Sequence, residues 1–232
     1  MPIVNLDYAK ASLLMDCAPE DGPEKTYRIH ACDKEPYTVS FIEAAAAENP
    51  GALFWDIGAN VGPYTLVALV NGLRVIAIEP GYENYARLCR NLALNDLLGG
   101  PVFALCGAVG AQAGYAWLDY SDLRPGGASH EISQRAVAKW DHHQQIFLQR
   151  LDDLMGLAQG PWYLKIDVDG FEWDVLCGAP VMLKSPDLKG ILLEMNGATE
   201  KPCMELLTAA GWVMAERHAP RSGVAYGVFR RG

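Results

Sequence analysis

The sequence is short of positive charge: 19 Lys and Arg stand against 28 Asp and Glu, for a net charge of −9 over 232 residues. That balance argues against nucleic acid as the main partner, since neutralising phosphates needs a basic surface. Long apolar runs are also missing. The longest candidate, Ala52 to Val70, is broken by Asp56, Asn60, Pro63 and two glycines, so no transmembrane segment is expected. No charged-then-apolar leader opens the chain, and a cytoplasmic protein is expected. The cysteines at 17, 32, 89, 106, 177 and 203 form no C-x-x-C pair. That pattern fits free thiols in a reducing compartment better than zinc or a disulfide frame. Repeats and low-complexity tracts are lacking too. Half the residues are hydrophobic and 20% are charged, enough for the core of one α/β domain. Nothing in the sequence reports oligomeric state, and a homo-oligomer is compatible with it.

What the chain does have is Leu53-Phe54-Trp55-Asp56-Ile57-Gly58-Ala59-Asn60-Val61-Gly62. An apolar run ends in an acid, a glycine-punctuated loop follows, and Pro63 to Val70 reads as a helix. Strand, tight turn and helix N-terminus build nucleotide-type pockets in doubly wound sheets. Gly58 and Gly62 can take backbone angles closed to other residues and let a ligand approach the main chain. The spacing is not the G-x-G-x-x-G of a dinucleotide loop, and Asp56 would repel a pyrophosphate. A carboxylate there suits a ligand with positive charge, such as the ammonium and sulfonium of S-adenosylmethionine. The next strand, Arg74 to Ile78, ends at Glu79, placed to accept hydrogen bonds from both ribose hydroxyls. An S-adenosylmethionine site is expected, with a nicotinamide site as its competitor.

Before this unit, Asp21-Gly22-Pro23 reads as a turn, Tyr27 to His30 as a strand, and the stretch around Phe41, Ile42 and alanines 44–47 as a helix ending at Asn49-Pro50-Gly51. After it come a helix over Tyr82 to Leu98, a third core strand over Val102 to Leu105 with Cys106-Gly107-Ala108 at its tip, and a strand over Tyr115 to Asp119. Residues 120–142 are polar and glycine-interrupted, with Ser121, His130, Trp140, His142 and, just beyond, His143. A loop this long inside a compact domain predicts a lid over residues 120–145. A loop histidine could reach a substrate hydroxyl or simply be solvated, and Trp140 could cover a ring or anchor the loop. Gln144 to Gln149 reads as a strand and Leu151 to Leu154 as the start of a short helix.

The second informative stretch is Trp162-Tyr163-Leu164-Lys165-Ile166-Asp167-Val168-Asp169-Gly170-Phe171-Glu172. A period of two puts Asp167 and Asp169 on one side if the extended backbone persists. Asp167 is the first candidate for a general base; the competing reading is a carboxylate that only pairs with Lys165 or caps the following helix. Glu172 and Asp174 fall in that helix's first turn, where its dipole accounts for them. Asp167, Asp169, Glu194 and Asn196 could together offer oxygen ligands to Mg²⁺, though acids at strand tips commonly hold no metal. A fifth strand over Gly190 to Leu193 precedes Glu194-Met195-Asn196-Gly197, and a helix follows over Lys201 to Ala210. Trp212–Arg217 and Val224–Arg230, joined by Pro220-Arg221-Ser222-Gly223, leave no room for a crossover and predict an antiparallel hairpin. The expected fold is therefore α/β: a doubly wound, mostly parallel seven-stranded sheet closed by a C-terminal antiparallel hairpin. Residues 1–50 would form an N-terminal cap and 51–232 the core domain.

Asp56 to Thr65, Ala77-Ile78-Glu79-Pro80, Leu151 to Leu154 and Leu164 to Glu172 resemble the FkbM-type methyltransferases, over most of the chain from about Phe41 to Asn196. The resemblance implies O-methylation of a hydroxyl on a natural product, sugar or glycan. By position it assigns Asp56, Gly58, Asn60, Gly62 and Glu79 to the cofactor and Lys165, Asp167 and Glu194 to the reaction side. Members often carry an acid where this chain has Cys106-Gly107. Pro80, Cys106 and Gly107 border the same pocket; Tyr64 either touches the cofactor or packs the core, and His130 is the loop candidate for a reaction role. The competing functions are a nicotinamide oxidoreductase, a nucleic-acid methyltransferase, which the acidity and the lack of an Asn-Pro-Pro-aromatic sequence disfavour, and a cofactor-binding scaffold that turns nothing over.

Overall fold

The computed structural model describes residues 3–17, 27–120, 122–127, 130–133, 139–219 and 224–232. The expected turn at 21–23, Ser121 and the connection at 220–223 lie outside these residues. The chain opens with β1 (Ile3–Asn5) and β2 (Leu14–Asp16), an antiparallel pair, then α1 (Ala31–Lys34) and α2 (Pro36–Glu48). Tyr27 to His30 is a helical turn, not the expected strand, because the Asp7 carboxylate draws in the amides of Cys32 and Asp33 at 3.0 and 2.8 Å and starts α1. α2 begins on Pro36, whose missing N–H is no loss at a helix start, and ends at Asn49 ahead of Pro50. The β1–β2 hairpin is tied down by two asparagines of the later helix α4 (Tyr82–Leu94) and its cap: Asn91 accepts from the Asp16 amide, and Asn95 both accepts from and donates to Leu14.

β3 (Leu53–Ile57), α3 (Pro63–Val70), β4 (Arg74–Glu79), α4 and β5 (Val102–Cys106) then alternate. Past them lie β6 (Ala108–Val109), β7 (Gly114–Tyr120), β8 (Glu131–Ser133) and β9 (His142–Gln149), which form a separate four-stranded sheet in the order β6-β9-β7-β8. His142 and His143 therefore sit in a strand rather than in a lid; alternate residues of β9 face out, so its polar positions hid the strand. The chain closes with α5 (Leu151–Leu154), β10 (Trp162–Ile166), α6 (Glu172–Cys177), β11 (Leu188–Met195), α7 (Glu200–Ala209), β12 (Trp212–His218) and β13 (Ala225–Arg231).

The main sheet has seven strands in the order β12-β13-β11-β10-β3-β4-β5. It is mixed rather than mostly parallel: β11–β10–β3–β4–β5 pair in parallel, while β13 is antiparallel to both β11 and β12. The final hairpin is the cause, since β13 enters between β12 and the parallel run. β5 is an edge strand, not a core one, and Phe103 on it is half exposed. Helices cover both faces. Phe54, Tyr163, Leu192 and Tyr226 pack against residues of α2, α3 and α4, whereas Trp55, Leu164, Leu193 and Phe229 pack against α6 and α7. By strand alternation Asp56, Lys165 and Glu194 share the first of these faces. Among the described residues no helix is long and apolar enough to cross a membrane.

Candidate active site

The loop after β3 carries left-handed backbone at Gly58 (φ 79°), Asn60 (φ 52°) and Gly62 (φ 88°). At Gly58 a side chain would also collide with the carbonyl oxygen of Asp167, so the first loop lies directly against the tip of β10. The loop borders a cavity at the C-terminal ends of β3, β4 and β10. Gly58, Asn60, Glu79, Pro80 and Gly107 line it, together with Asp167, Asp169 and His130. Val109, Leu118, Ile132 and Phe171 give it an apolar wall that sequence reasoning missed; β6 and β8, which carry Val109 and Ile132, are too short to show a pattern.

Glu79 is buried at the end of β4. One oxygen accepts from the Gly81 amide at 2.9 Å and Asn84 Nδ2 at 3.3 Å; the other accepts from the Asn60 amide at 2.9 Å. Burial pushes its pKa up to about 7, against the lowering effect of these three bonds. A carboxylate offers about four lone-pair sites, so this one retains room for one further donor rather than the two expected of a ribose. Asn84 also holds the 122–127 segment, accepting from the Gly126 amide at 2.8 Å, while Asn60 Nδ2 donates to Gly127 O at 2.8 Å.

Asp56 does not face the cavity. Fully buried, it accepts from Thr65 Oγ1 at 2.7 Å and from Lys165 Nζ at 3.0 Å, its neighbour in register on β10. Burial works against the Lys165 ammonium, but Asp56 and Asp167 outweigh it and hold its pKa above the ordinary value. The charge expected to meet a cationic ligand is thus matched inside the protein. Lys165 is equally interior, with Asp167 Oδ2 at 3.4 Å as its second partner. Tyr64 is turned away as well: it donates to Ala31 O at 3.0 Å, and its ring lies 5.4 Å from Lys165 Nζ. Gly62 caps α3 behind the loop, and Cys106 is exposed at the end of β5; neither lines the cavity.

After β10, Asp169 has φ 52° and Gly170 φ 104°, so the extended backbone ends before them and the period-two argument for Asp167 and Asp169 fails. Both acids nevertheless reach the cavity. His130 stands between it and a second groove shared with Glu131, Trp140, Asp169, Glu194 and Asn196. Trp140 is anchored there by donating to Glu131 Oε2 at 3.1 Å. Burial lowers the His130 pKa, with Asp169 opposing, which favours the neutral ring. Burial, then the negative charges of Asp167, Asp169 and Glu172, pushes Glu194 up to about 9, and Tyr226 donates to it at 3.2 Å. Glu194 also borders a third groove with Glu35, Tyr37 and Tyr226, none of which the sequence singled out.

Among the described residues no group of three or more His, Cys, Asp or Glu could hold a metal ion. The candidate Mg²⁺ set of Asp167, Asp169, Glu194 and Asn196 does not assemble, because Asp169 sits in a left-handed turn, Glu194 is turned onto Tyr226, and Asn196 donates to Glu172 at 3.1 Å.

Residues 56–212 match the profile of the methyltransferase FkbM domain, more than half of the chain. The chain belongs to the FkbM methyltransferase family. It is 30% identical over 153 residues to methyltransferase sdnD of Sordaria araneosa, a match covering 53% of this chain and 58% of that protein. The chain thus spans less than two thirds of its curated relative. Its fold is similar to the METTL16 methyltransferase domain (TM-score 0.55, 12% identity, 89% of this chain and 70% of that one). It is also similar to a SAM-dependent methyltransferase from Agrobacterium tumefaciens (TM-score 0.53, 11% identity, 99% and 69%). Family and fold imply S-adenosylmethionine as the cofactor of this FkbM domain. The cavity fits that group: glycine-loop backbone, a buried acid with an open lone pair, and an apolar wall for a flat ring adjoin one another.

Proposed function

We propose that this FkbM-family chain is an S-adenosylmethionine-dependent O-methyltransferase acting on a hydroxyl of a small natural product, sugar or glycan. The observation that carries the reading is Asp167, a carboxylate on the wall of the cavity that Glu79 also lines, with one oxygen held by Lys165. S-adenosylmethionine supplies a methyl group made electrophilic by its sulfonium. Gly58, Asn60 and Glu79 would hold the cofactor, with Val109, Leu118 and Phe171 as the apolar wall. Asp167 accepts the hydroxyl proton on the oxygen that Lys165 leaves free, and Lys165 fixes the carboxylate's angle. His130, neutral and facing the same space, excludes water and offers a second proton acceptor. Alignment of the hydroxyl then contributes most of the rate, since little else is asked of the protein. The net charge of −9 favours a small or carbohydrate acceptor over nucleic acid, and six free cysteines suit the cytoplasm.

The test is methyl transfer from labelled S-adenosylmethionine to hydroxyl and amine acceptors, with S-adenosylhomocysteine and NAD compared as ligands by thermal shift. A ligand at a hundred times its Kd should stabilise by about 2.7 kcal/mol. S-adenosylhomocysteine alone should do so, and Asp167→Asn should lower kcat by about 10²–10⁴-fold while leaving that shift intact. Label recovered on nitrogen, or an Asp167→Asn enzyme of undiminished rate, overturns the proposal.

A further inference from the structure

We infer that Glu172 is a positioning residue that joins the two loops on the acceptor side and so sets the alignment of the methyl-accepting group; this rests on the methyltransferase reading above. Glu172 is fully buried at the start of α6. One of its oxygens accepts from the Gly170 amide at 2.8 Å and from Asn196 Nδ2 at 3.1 Å; the other accepts from Thr199 Oγ1 at 3.1 Å. Gly170 belongs to the loop after β10, which carries Asp167 and Asp169. Asn196 and Thr199 belong to the loop after β11, which follows Glu194. A single side chain thus spans the two loops whose acids border the cavity and the groove beside it.

Two further observations point the same way. The loop after β10 is held in an uncommon shape, left-handed at both Asp169 and Gly170, and such turns persist only when their surroundings determine them. Glu172 supplies that determination by fixing the Gly170 amide. The second loop is closed by Asn196 O, which accepts from the amides of Thr199 at 2.9 Å and Glu200 at 2.8 Å, so fixing the Asn196 and Thr199 side chains fixes the whole turn. Among the described residues no Lys or Arg pairs with Glu172. A buried carboxylate without a cation is a costly packing element, tolerated when its oxygens are hydrogen-bonded, and here the donors to its two oxygens come from both loops. Glu172 itself lines neither the cavity nor the groove, so its effect reaches the acceptor through Asp167, Asp169, Glu194 and Asn196.

Glu172→Ala, Glu172→Gln and Thr199→Val test this in the full chain. Glutamine keeps an oxygen for Gly170 and Asn196, and its amide can donate to the Thr199 hydroxyl, so it preserves the bridge without the charge. Glu172→Ala should lower kcat/KM for the acceptor on the order of 100-fold, the cost of a reacting group about 1 Å out of place. S-adenosylhomocysteine affinity should fall far less than that, and Glu172→Gln should restore most of the turnover. An alanine variant with wild-type kcat and acceptor KM, whatever its Tm, overturns the proposal, as does a glutamine variant no better than alanine. Amide hydrogen exchange needs no acceptor: without the bridge, Gly170 and the amides of Thr199 and Glu200 should speed up together. Exchange raised at Gly170 alone refutes the bridge. Thr199→Val, which removes one arm, should speed the second loop even if Glu172→Ala does not fold. A wild-type protein that methylates nothing sinks the functional reading, while the exchange result still decides the bridge.

Discussion

Removing Asp56 should destabilise the protein mainly through the lysine it leaves behind. Lys165 is 1% exposed, and its partners are Asp56 at 3.0 Å and Asp167 at 3.4 Å. Breaking a buried ion pair from one side costs about 3–5 kcal/mol, because the remaining charge stays desolvated. Asp167 still offsets part of that here, so Asp56→Ala should fall at the low end, about 3 kcal/mol, or roughly 6–12 °C in Tm at this chain length. Asp56→Asn keeps an oxygen for Thr65 and Lys165 and should lose only about 1–2 kcal/mol. The informative variant is Asp56→Ala with Lys165→Met. Methionine fills much of the lysine's volume without its charge, so the double mutant should be at least as stable as the weaker single mutant. Chemical denaturation of the four proteins would measure a coupling of about 2 kcal/mol in the cycle. If the two losses simply add, the carboxylate and the ammonium do not depend on each other and the reasoning is wrong.

Two other outcomes follow from the same region. The Glu79 pKa is raised by burial from 4.5 to about 7, so the folded state holds its proton more tightly than the unfolded chain. Its contribution is present below about pH 4.5 and lost as pH rises through 7, worth up to about 3 kcal/mol. Glu194 slopes the same way over a wider range, so the difference between wild type and Glu79→Gln isolates Glu79. Unfolding free energies from pH 4.5 to 8 should fall less steeply in Glu79→Gln, and parallel curves would refute the assignment. Gly58→Ala combines a left-handed backbone with a collision at the Asp167 carbonyl. It should cost several kcal/mol, as other strained core changes do, and abolish S-adenosylhomocysteine binding in calorimetry; intact binding would mean the loop can move away from β10.

The parts legible in the sequence were those governed by local chemistry. β3 reads as a buried strand because Leu53 to Ile57 is apolar on both sides of Asp56 and a glycine stops it, and the final hairpin is legible because its connection is too short for a crossover. Parallel-sheet register is different in kind. Alternation says that Asp56 and Lys165 each lie on one face of a strand; that they lie opposite each other depends on how segments 109 residues apart align. The acids at strand tips therefore looked alike, all candidates for the site, and the structure divides them by their donors. Asp56 meets a lysine and a threonine inside the protein, and Glu172 meets three donors from two loops; neither lines the cavity. Glu79 has three donors too, from the loops after β3 and β4, but it lines the cavity. Asp167 has a lysine on one oxygen and the cavity beside it. A carboxylate's role here follows from whether the fold leaves it facing the cavity, and that depends on side chains brought in from distant strands and loops.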